Sequence, residues 1–449
     1  MTKTAFFKTQ KNFYFLGVGG VSMSAIASFL IEEGYKVLGY DKVFSDKVKA
    51  LIEKGLVFVK PSEIDLKDHL VVYTSAVEKT PYFNAIKKSG AKIIKRSKLL
   101  YEIQKLFKIN IAVCGCHGKT TTTAMLAHVF KCANARPTAF IGGEDTDFSN
   151  YLSGEKKYCI TEACEYKKNF LDLKADYAIV TNVDNDHLDS YIGIEDVKKT
   201  FEKFISNSVA IINVDDANSK HLKGKTHITF GINSKADYVA KNIVETSFGT
   251  EFTVLEWGKY SHEIKINLKG SYNVYNALSV IALARQKKIG WHTIKKGLIS
   301  FKGVKRRSEN IGKMNCRKII CDYAHHPTEI GCMLNTVDKD RTAIIFQPHT
   351  YSRTALLMED FVNVLKDIPC LIIYKTYPAR EKFDKRGSAR TLYLNIIRKS
   401  KTKVYYVENT KQLKRAIKEL SRDKNLLFVG AGDIYSVAKI LATKKENGT

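Results

Sequence analysis

Short apolar runs ending in glycine or a carboxylate recur along this chain, separated by stretches of helical periodicity. The first, "FYFLGV" (13–18), opens into "GVGGVSMSAIASFLIEEG", where Ala25, Ile26, Phe29 and Leu30 recur at helical spacing and Gly34 supplies a stop. "YKVLGYD" follows, a predicted strand ending at Asp41, and the pattern repeats through "LVFVK", "HLVVYTSAV" and "AKIIKRSK". Alternation of strand and helix in this way predicts a parallel sheet, here over residues 12–107. A second series starts at "INIAVCG" and continues through "KYCITEAC", "DYAIVTNV" and "SVAIINVDD". Residues 226–270 alternate in the manner of antiparallel strands, and "YNVYNALSVIALARQK" predicts a helix. A third series, "RKIICDYAHH", "RTAIIFQPH", "CLIIYKTY", "KVYYVE" and "NLLFVGAGD", fills the end. The expected fold class is α/β, with three consecutive α/β domains at residues 1–108, 109–304 and 305–449.

Composition narrows the function classes. A chain of 449 residues exceeds one ordinary core. No apolar run reaches the roughly 18 residues of a membrane span, and the first residues lack the pattern of an export signal, so no membrane insertion is expected. Nine cysteines include one close pair, Cys114 and Cys116, without metal-site spacing, which reads as reduced thiols in a cytoplasm. The net charge of +27 comes from lysines spread along the whole chain. Surface lysines and polyanionic small substrates account for it, and no nucleic-acid partner is expected.

The strongest chemical signal is "CGCHGKTTTTAM" (114–125), between a predicted strand and a predicted helix. Gly115 and Gly118 let the backbone N–H groups of a loop that includes Cys116 and His117 turn inward. Lys119 adds a full positive charge for β and γ phosphates, and the Thr120 hydroxyl suits Mg²⁺, with Thr121 beside it. The loop is shorter than the usual Walker spacing, yet a lysine and four threonines suit an ordinary turn poorly, so ATP is the expected ligand. Carboxylate partners for a cation are offered at strand ends by Glu162, Asp184 and Asp186, with His187 adjacent. The first loop has Gly17, Gly19 and Gly20, with Asp41 about 20 residues on, but Ser22 stands at the third fingerprint position. Read alone, it fits NAD or another nucleoside diphosphate equally.

Two nucleotide loops in series ahead of a third α/β domain resemble the Mur ligases, and the likeness runs nearly end to end. "FLGVGGVSMSAIA", "TSAV", "GCHGKTTTTAML", "TEACEYKKNFLDLKADYAIVTNVDNDHLD", "YNVYNALSVIALA", "FKGVKRR", "DYAHHPTEI", "FQPHTYSRT", "YPAREK" and "GAGDIY" carry it. The resemblance implies a Rossmann-like UDP-binding domain, a P-loop ATPase-type central domain and a Rossmann-like C-terminal domain. It also implies an ADP-forming ligase of peptidoglycan precursor synthesis in a bacterial cytoplasm. Within the family the likeness is to the member that joins L-alanine to the lactyl carboxylate of UDP-N-acetylmuramate. The member that attaches a preformed tripeptide to the same UDP-sugar is the alternative.

Carried over by position, the resemblance assigns the UDP-sugar to Gly17, Gly19, Gly20, Ser22, Met23, Asp41 and Ser75. ATP falls to Gly115, Cys116, His117, Gly118, Lys119, Thr120, Thr121, Asn273, Asn276, Arg306 and Asp322. Mg²⁺, with Mn²⁺ as a substitute, falls to Thr120, Glu162 and His187, and the amino acid to His325, His326 and Arg353. Lys119, His187, His326 and Arg307 are the implied catalytic set, with either histidine a candidate base for the amine. Three departures stand out: Cys116 where threonine is common, Cys321 and Ala324 where Asp and Gly are frequent, and Thr350 in place of an arginine. An NAD-dependent dehydrogenase leaves "HGKTTTT" unexplained, and a nucleic-acid ATPase lacks an aromatic-interleaved basic segment.

Overall fold

The computed structural model describes residues 4–184, 190–421 and 423–443. The chain forms two compact units, Met1–Val304 and Lys305–Thr449. No helix among the described residues is long and apolar enough to cross a membrane.

The first unit holds two sheets. In one, β1 (Asn12–Leu16), β2 (Lys36–Tyr40), β3 (Val57–Phe58), β4 (Leu70–Tyr73) and β5 (Ile93–Lys95) lie parallel in the order β3-β2-β1-β4-β5. The other contains β6 (Ile109–Cys114), β7 (Thr138–Asp145), β8 (Ser149–Leu152), β9 (Tyr158–Glu162), β10 (Tyr177–Val180) and β11 (Val209–Asn213). It continues with β12 (Thr226–Gly231), β13 (Tyr238–Glu245), β14 (Thr250–Glu256) and β15 (Tyr260–Ile266). Its order is β15-β14-β13-β12-β11-β10-β6-β9-β7-β8, parallel from β13 to β7 with antiparallel pairings at both edges. Central strands such as β10 are buried along nearly their whole length, whereas β14 alternates buried and half-buried residues, as an edge region with one wet face should.

Residues 226–270 are therefore not all antiparallel. β12 pairs in parallel with both β11 and β13, and only the β13–β15 meander reverses direction. Sequence alternation reports which face is buried; it carries no information about strand direction.

The first two sheets also share a core. Phe29, on the helix Val21–Glu32, lies 6.1 Å from the Phe107 ring and 5.8 Å from Phe140 on β7. Asn150 on β8 donates to Val21 O at 2.5 Å and Ser24 Oγ at 2.8 Å, and Tyr151 OH donates to Glu32 at 2.8 Å. A fully buried phenylalanine contributes about 1.5–3 kcal/mol, so this packing joins the glycine-loop helix firmly to the sheet that follows.

The second unit is one sheet of β16 (Glu309–Met314), β17 (Arg317–Asp322), β18 (Thr342–Phe346), β19 (Cys370–Tyr374), β20 (Lys403–Val407) and β21 (Asn425–Val429). Its order is β16-β17-β21-β18-β19-β20, parallel except for the antiparallel edge strand β16. Apolar clusters cover both faces, one centred on Ile345, Ile372 and Phe428 and the other on Phe346, Phe361 and Leu427.

Candidate active site

β6 ends at Cys114, and the helix Lys119–Cys132 begins five residues later. Gly115 (φ +131°) and Gly118 (φ +80°) make the turn, and both sit where a side chain has no room. A Cβ on Gly118 would stand 2.6 Å from Asn276 Oδ1, and one on Gly115 would collide with Thr181 Oγ1. Asn276 is thus packed on the loop, bonded to Asn273 (3.2 Å), which donates to Lys269 O at 2.7 Å. Thr121 is buried in the first helical turn. The Thr120 hydroxyl donates to Glu162 Oε2 at 2.8 Å, and Gly142 N donates to the same oxygen at 3.0 Å. Thr120 and Glu162, both expected at the cation, are thus brought together. His187 and Asp186 lie outside the described residues.

The Lys119 ammonium turns back onto its own loop, reaching Gly115 O at 2.6 Å, Cys116 O at 2.9 Å and the Glu165 carboxylate at 3.0 Å. Burial alone would lower its pKa. Glu165, with Cys164 and Glu162 nearby, outweighs that and holds the amine charged well above the usual lysine range. Glu165 is absent from the sequence-based set, although it lies three residues past Glu162 in the same segment.

His117 has a structural answer. Its Nε2 lies 3.0 Å from Asp184 Oδ2, its N–H donates to Asn182 Oδ1 at 2.8 Å, and its carbonyl accepts from Thr181 Oγ1 at 2.6 Å. The histidine ties the phosphate loop to the segment after β10. Cys116 takes part too: Asp184 N donates to its sulfur at 3.1 Å, and the thiol faces Asp184 O at 3.2 Å. The side chain at this position has a hydrogen-bonding task besides the backbone's own.

The glycine loop after β1 occupies the matching place in the first sheet. Gly17 N donates to Tyr40 O at 2.8 Å, and Gly19 N donates to Asp41 Oδ2 at 2.9 Å, so Asp41 braces the turn. Gly20 caps the helix Val21–Glu32. Ser22 accepts from Arg96 at 2.7 Å, a partner 74 residues away that no local pattern points to. Ser75 is half-buried in the turn after β4, whereas Met23 is buried in the apolar core. Beside Asp41 an aromatic face runs from Tyr82 through Tyr40 (5.3 Å) and Phe58 (5.7 Å) to the exposed Phe44 (5.4 Å).

In the second unit, Arg306 donates to Gly430 O at 3.0 Å and Gly432 O at 3.1 Å and lies over the Tyr323 ring at 4.6 Å. Its guanidinium serves the local fold. Arg307 lies 3.6 Å from Glu329, which also holds His325 at 3.2 Å. Asp322 is buried, accepting from Ser308 N and Ala324 N at 2.8 Å each, and burial raises its pKa despite nearby Arg307. His326 caps the helix Pro327–Leu334, its Nδ1 accepting from Thr328 N at 3.4 Å. Arg353 lies on the helix Tyr351–Leu356, capped by Thr350, whose φ of +67° is rare for a β-branched residue. His349, not singled out from the sequence, stacks on Tyr377 and is pushed down to about 3 by burial, with His325, Arg353 and Arg306 adding to the effect.

Comparison with known proteins matches this architecture region by region. The family models described as Mur ligase family, catalytic domain; Mur ligase middle domain; and Mur ligase, glutamate ligase domain match residues 12–108, 113–284 and 306–432. UDP-N-acetylmuramate–L-alanine ligase of Clostridium acetobutylicum is 36% identical, over 97% of this chain and 98% of its own. The enzyme of that name from Aquifex aeolicus is 38% identical, over 94% and 95%. The crystal structure of UDP-N-acetylmuramate-alanine ligase MurC from Thermotoga maritima superposes with a TM-score of 0.81 at 27% identity, covering 96% of this chain and 98% of that one. With a glycine loop, a lysine-bearing phosphate loop and a third α/β sheet in the same order, this chain belongs to the Mur ligase family.

Proposed function

We propose that this chain joins L-alanine to the lactyl carboxylate of UDP-N-acetylmuramate, converting ATP to ADP and phosphate in peptidoglycan precursor synthesis. The observation that carries the reading is the phosphate loop. Lys119, Thr120 and Glu162 converge there, in a chain that L-alanine ligases match over nearly its whole length. Residues 1–108 would take the UDP-sugar, 109–304 the ATP and 305–449 the amino acid, with the bacterial cytoplasm as the compartment.

Forming an amide from a carboxylate in water is uphill, so the carboxylate must be activated. Its attack on the γ phosphate gives an acyl phosphate and ADP; the alanine amine then adds to the acyl carbon, and phosphate leaves from a tetrahedral intermediate. Phosphoryl transfer asks the protein mainly for alignment and charge. Lys119 supplies charge for the β and γ phosphates, Gly115 to Gly118 the N–H groups, and Asn273 and Asn276 an adenine-side wall. Of the two adjacent arginines, Arg307 is the one whose guanidinium is not bonded to the Gly430 and Gly432 carbonyls, and it is our choice for the γ phosphate. Arg353 would hold the alanine carboxylate, with His325 and His326 beside it.

The hard oxygen donors Thr120 Oγ1 and Glu162 Oε2, 2.8 Å apart, fit Mg²⁺ and tolerate Mn²⁺. They would hold the ion together with His187. Such an ion supplies charge neutralisation at the phosphates when bound. The alanine amine must lose a proton before or during attack, and His187 and His326 are the two candidate bases.

The test is ADP release with UDP-N-acetylmuramate, offering each amino acid and the preformed tripeptide in turn. Turnover with L-alanine well above all others is expected. Preference for the tripeptide, or no ADP with any amino acid, overturns the reading.

A further inference from the structure

An ammonium group has three protons, and those of Lys119 are all engaged. One goes to Gly115 O (2.6 Å), one to Cys116 O (2.9 Å) and one to Glu165, whose oxygens lie 3.0 and 3.1 Å away. The Glu165 carboxylate is 1% exposed and the lysine side chain 11%. The two carbonyls belong to the loop itself; Glu165 is the fully charged partner, and a phosphate oxygen would compete with it most directly.

Glu165 is also fixed in place. Its carbonyl accepts from Tyr191 OH at 2.6 Å. Two residues on, Lys167 (φ +53°) and Lys168 (φ +56°) are left-handed, and Lys168 is paired with Asp196 at 2.9 Å. One four-residue stretch therefore sends Glu162 to Thr120 and Glu165 to Lys119. A buried pair of this kind is weak evidence for stability, because desolvating both charges offsets most of their attraction. Its position on the phosphate loop gives it another use.

We propose that Glu165 is a positioning residue that holds Lys119 in a closed resting state, so that binding a nucleoside di- or triphosphate exchanges the Glu165 carboxylate for phosphate oxygens. This rests on the ATP reading above. The pairing with Glu165 keeps the lysine charged and folded back onto its own loop, and it lowers nucleotide affinity by the free energy of the displaced bond. The exchange concerns only phosphates that the lysine reaches, so a monophosphate should not feel it.

The experiment is calorimetric titration of Mg²⁺-free ADP and AMP into the full-length wild type and Glu165→Gln, with UDP-N-acetylmuramate binding as the check on folding. A hydrogen bond to a charged group corresponds to roughly tenfold or more in an equilibrium constant. Glu165→Gln should therefore bind ADP about tenfold more tightly, with AMP and UDP-sugar unchanged. A merely structural role would weaken ADP and UDP-sugar binding together. Equal or weaker ADP binding in the variant overturns the proposal while leaving the ATP reading in place. Absence of ADP binding to the wild type overturns both. Should Glu165→Gln fail to fold, Glu165→Asp, whose shorter carboxylate also gives up the lysine, is read by the same criteria.

Discussion

The two glycine loops of the first unit sit at equivalent points, each after a central strand of a parallel sheet and before a buried helix, yet their side chains make opposite provisions. After β1 the charged group bonded to the turn's backbone is a carboxylate, Asp41 accepting from Gly19 N at 2.9 Å, while Arg96 donates to the Ser22 hydroxyl at the start of the following helix. After β6 it is the Lys119 ammonium, flanked by Glu165 at 3.0 Å and followed by Thr120, bonded to Glu162 at 2.8 Å. A strand–turn–helix frame offers N–H groups and a helix terminus to any phosphate. The difference lies in what is added: the second loop carries a lysine and a hydroxyl, each bonded to a carboxylate, and the first carries no lysine. Backbone geometry selects the ligand class, and side chains select between binding and chemistry.

Lys119→Ala should have the largest effect. Turnover should vanish, and the buried Glu165 carboxylate, left without its lysine, should cost about 3–5 kcal/mol of unfolding free energy. Lys119→Ala with Glu165→Gln should recover most of that stability without recovering turnover. Denaturant melts of the two variants check this; equal stability would remove the charge pairing from the account.

Arg353→Ala probes a site that belongs to neither loop. Losing a charged partner of the alanine carboxylate should weaken transition-state binding by about 2–5 kcal/mol, appearing as a raised alanine KM with that for ATP little changed. With Thr350 in place of a second arginine, the dependence on Arg353 should be strong. Steady-state kinetics with alanine, glycine and leucine decide it: an unchanged alanine KM removes Arg353 from the pocket.

Cys116→Thr should have a small effect, within about 1 kcal/mol in stability, because a hydroxyl can take over the sulfur's bonds to the Asp184 backbone. A smaller signal still is expected from His349. With burial holding its pKa near 3, its ring resonances should stay still between pH 8 and 5. A midpoint near 6.5 in an NMR titration would contradict that placement.

How far these features were legible depends on their reach along the chain. The parallel strands and both loops announce themselves because apolar runs, glycines and the lysine are local signals. β7–β8 and β16 went unread: β7 ends in the polar "GGED", and β16, "ENIGKM", has no fully buried residue. The direction of β12 was misread because alternation does not encode it. Arg96 on Ser22 and Glu165 on Lys119 span 74 and 46 residues, so only the folded chain brings them together. Between β5 and β6, where the sequence reading places a boundary at 108, the chain passes from one sheet to the next within a single compact unit, and the Phe29, Phe107 and Phe140 cluster joins the two sheets.

Under the proposed function, the first loop holds the UDP-sugar while the second holds and activates ATP. This division is tested most directly by titrating UDP-N-acetylmuramate and ATP separately into Lys119→Ala and Asp41→Ala. Loss of the Asp41 brace should weaken UDP-sugar binding by about 1.5–3 kcal/mol and leave ATP binding unchanged. Lys119→Ala should do the reverse, losing ATP and keeping the UDP-sugar. If either substitution weakens both ligands alike in a protein that remains folded, the two loops do not divide the work as described.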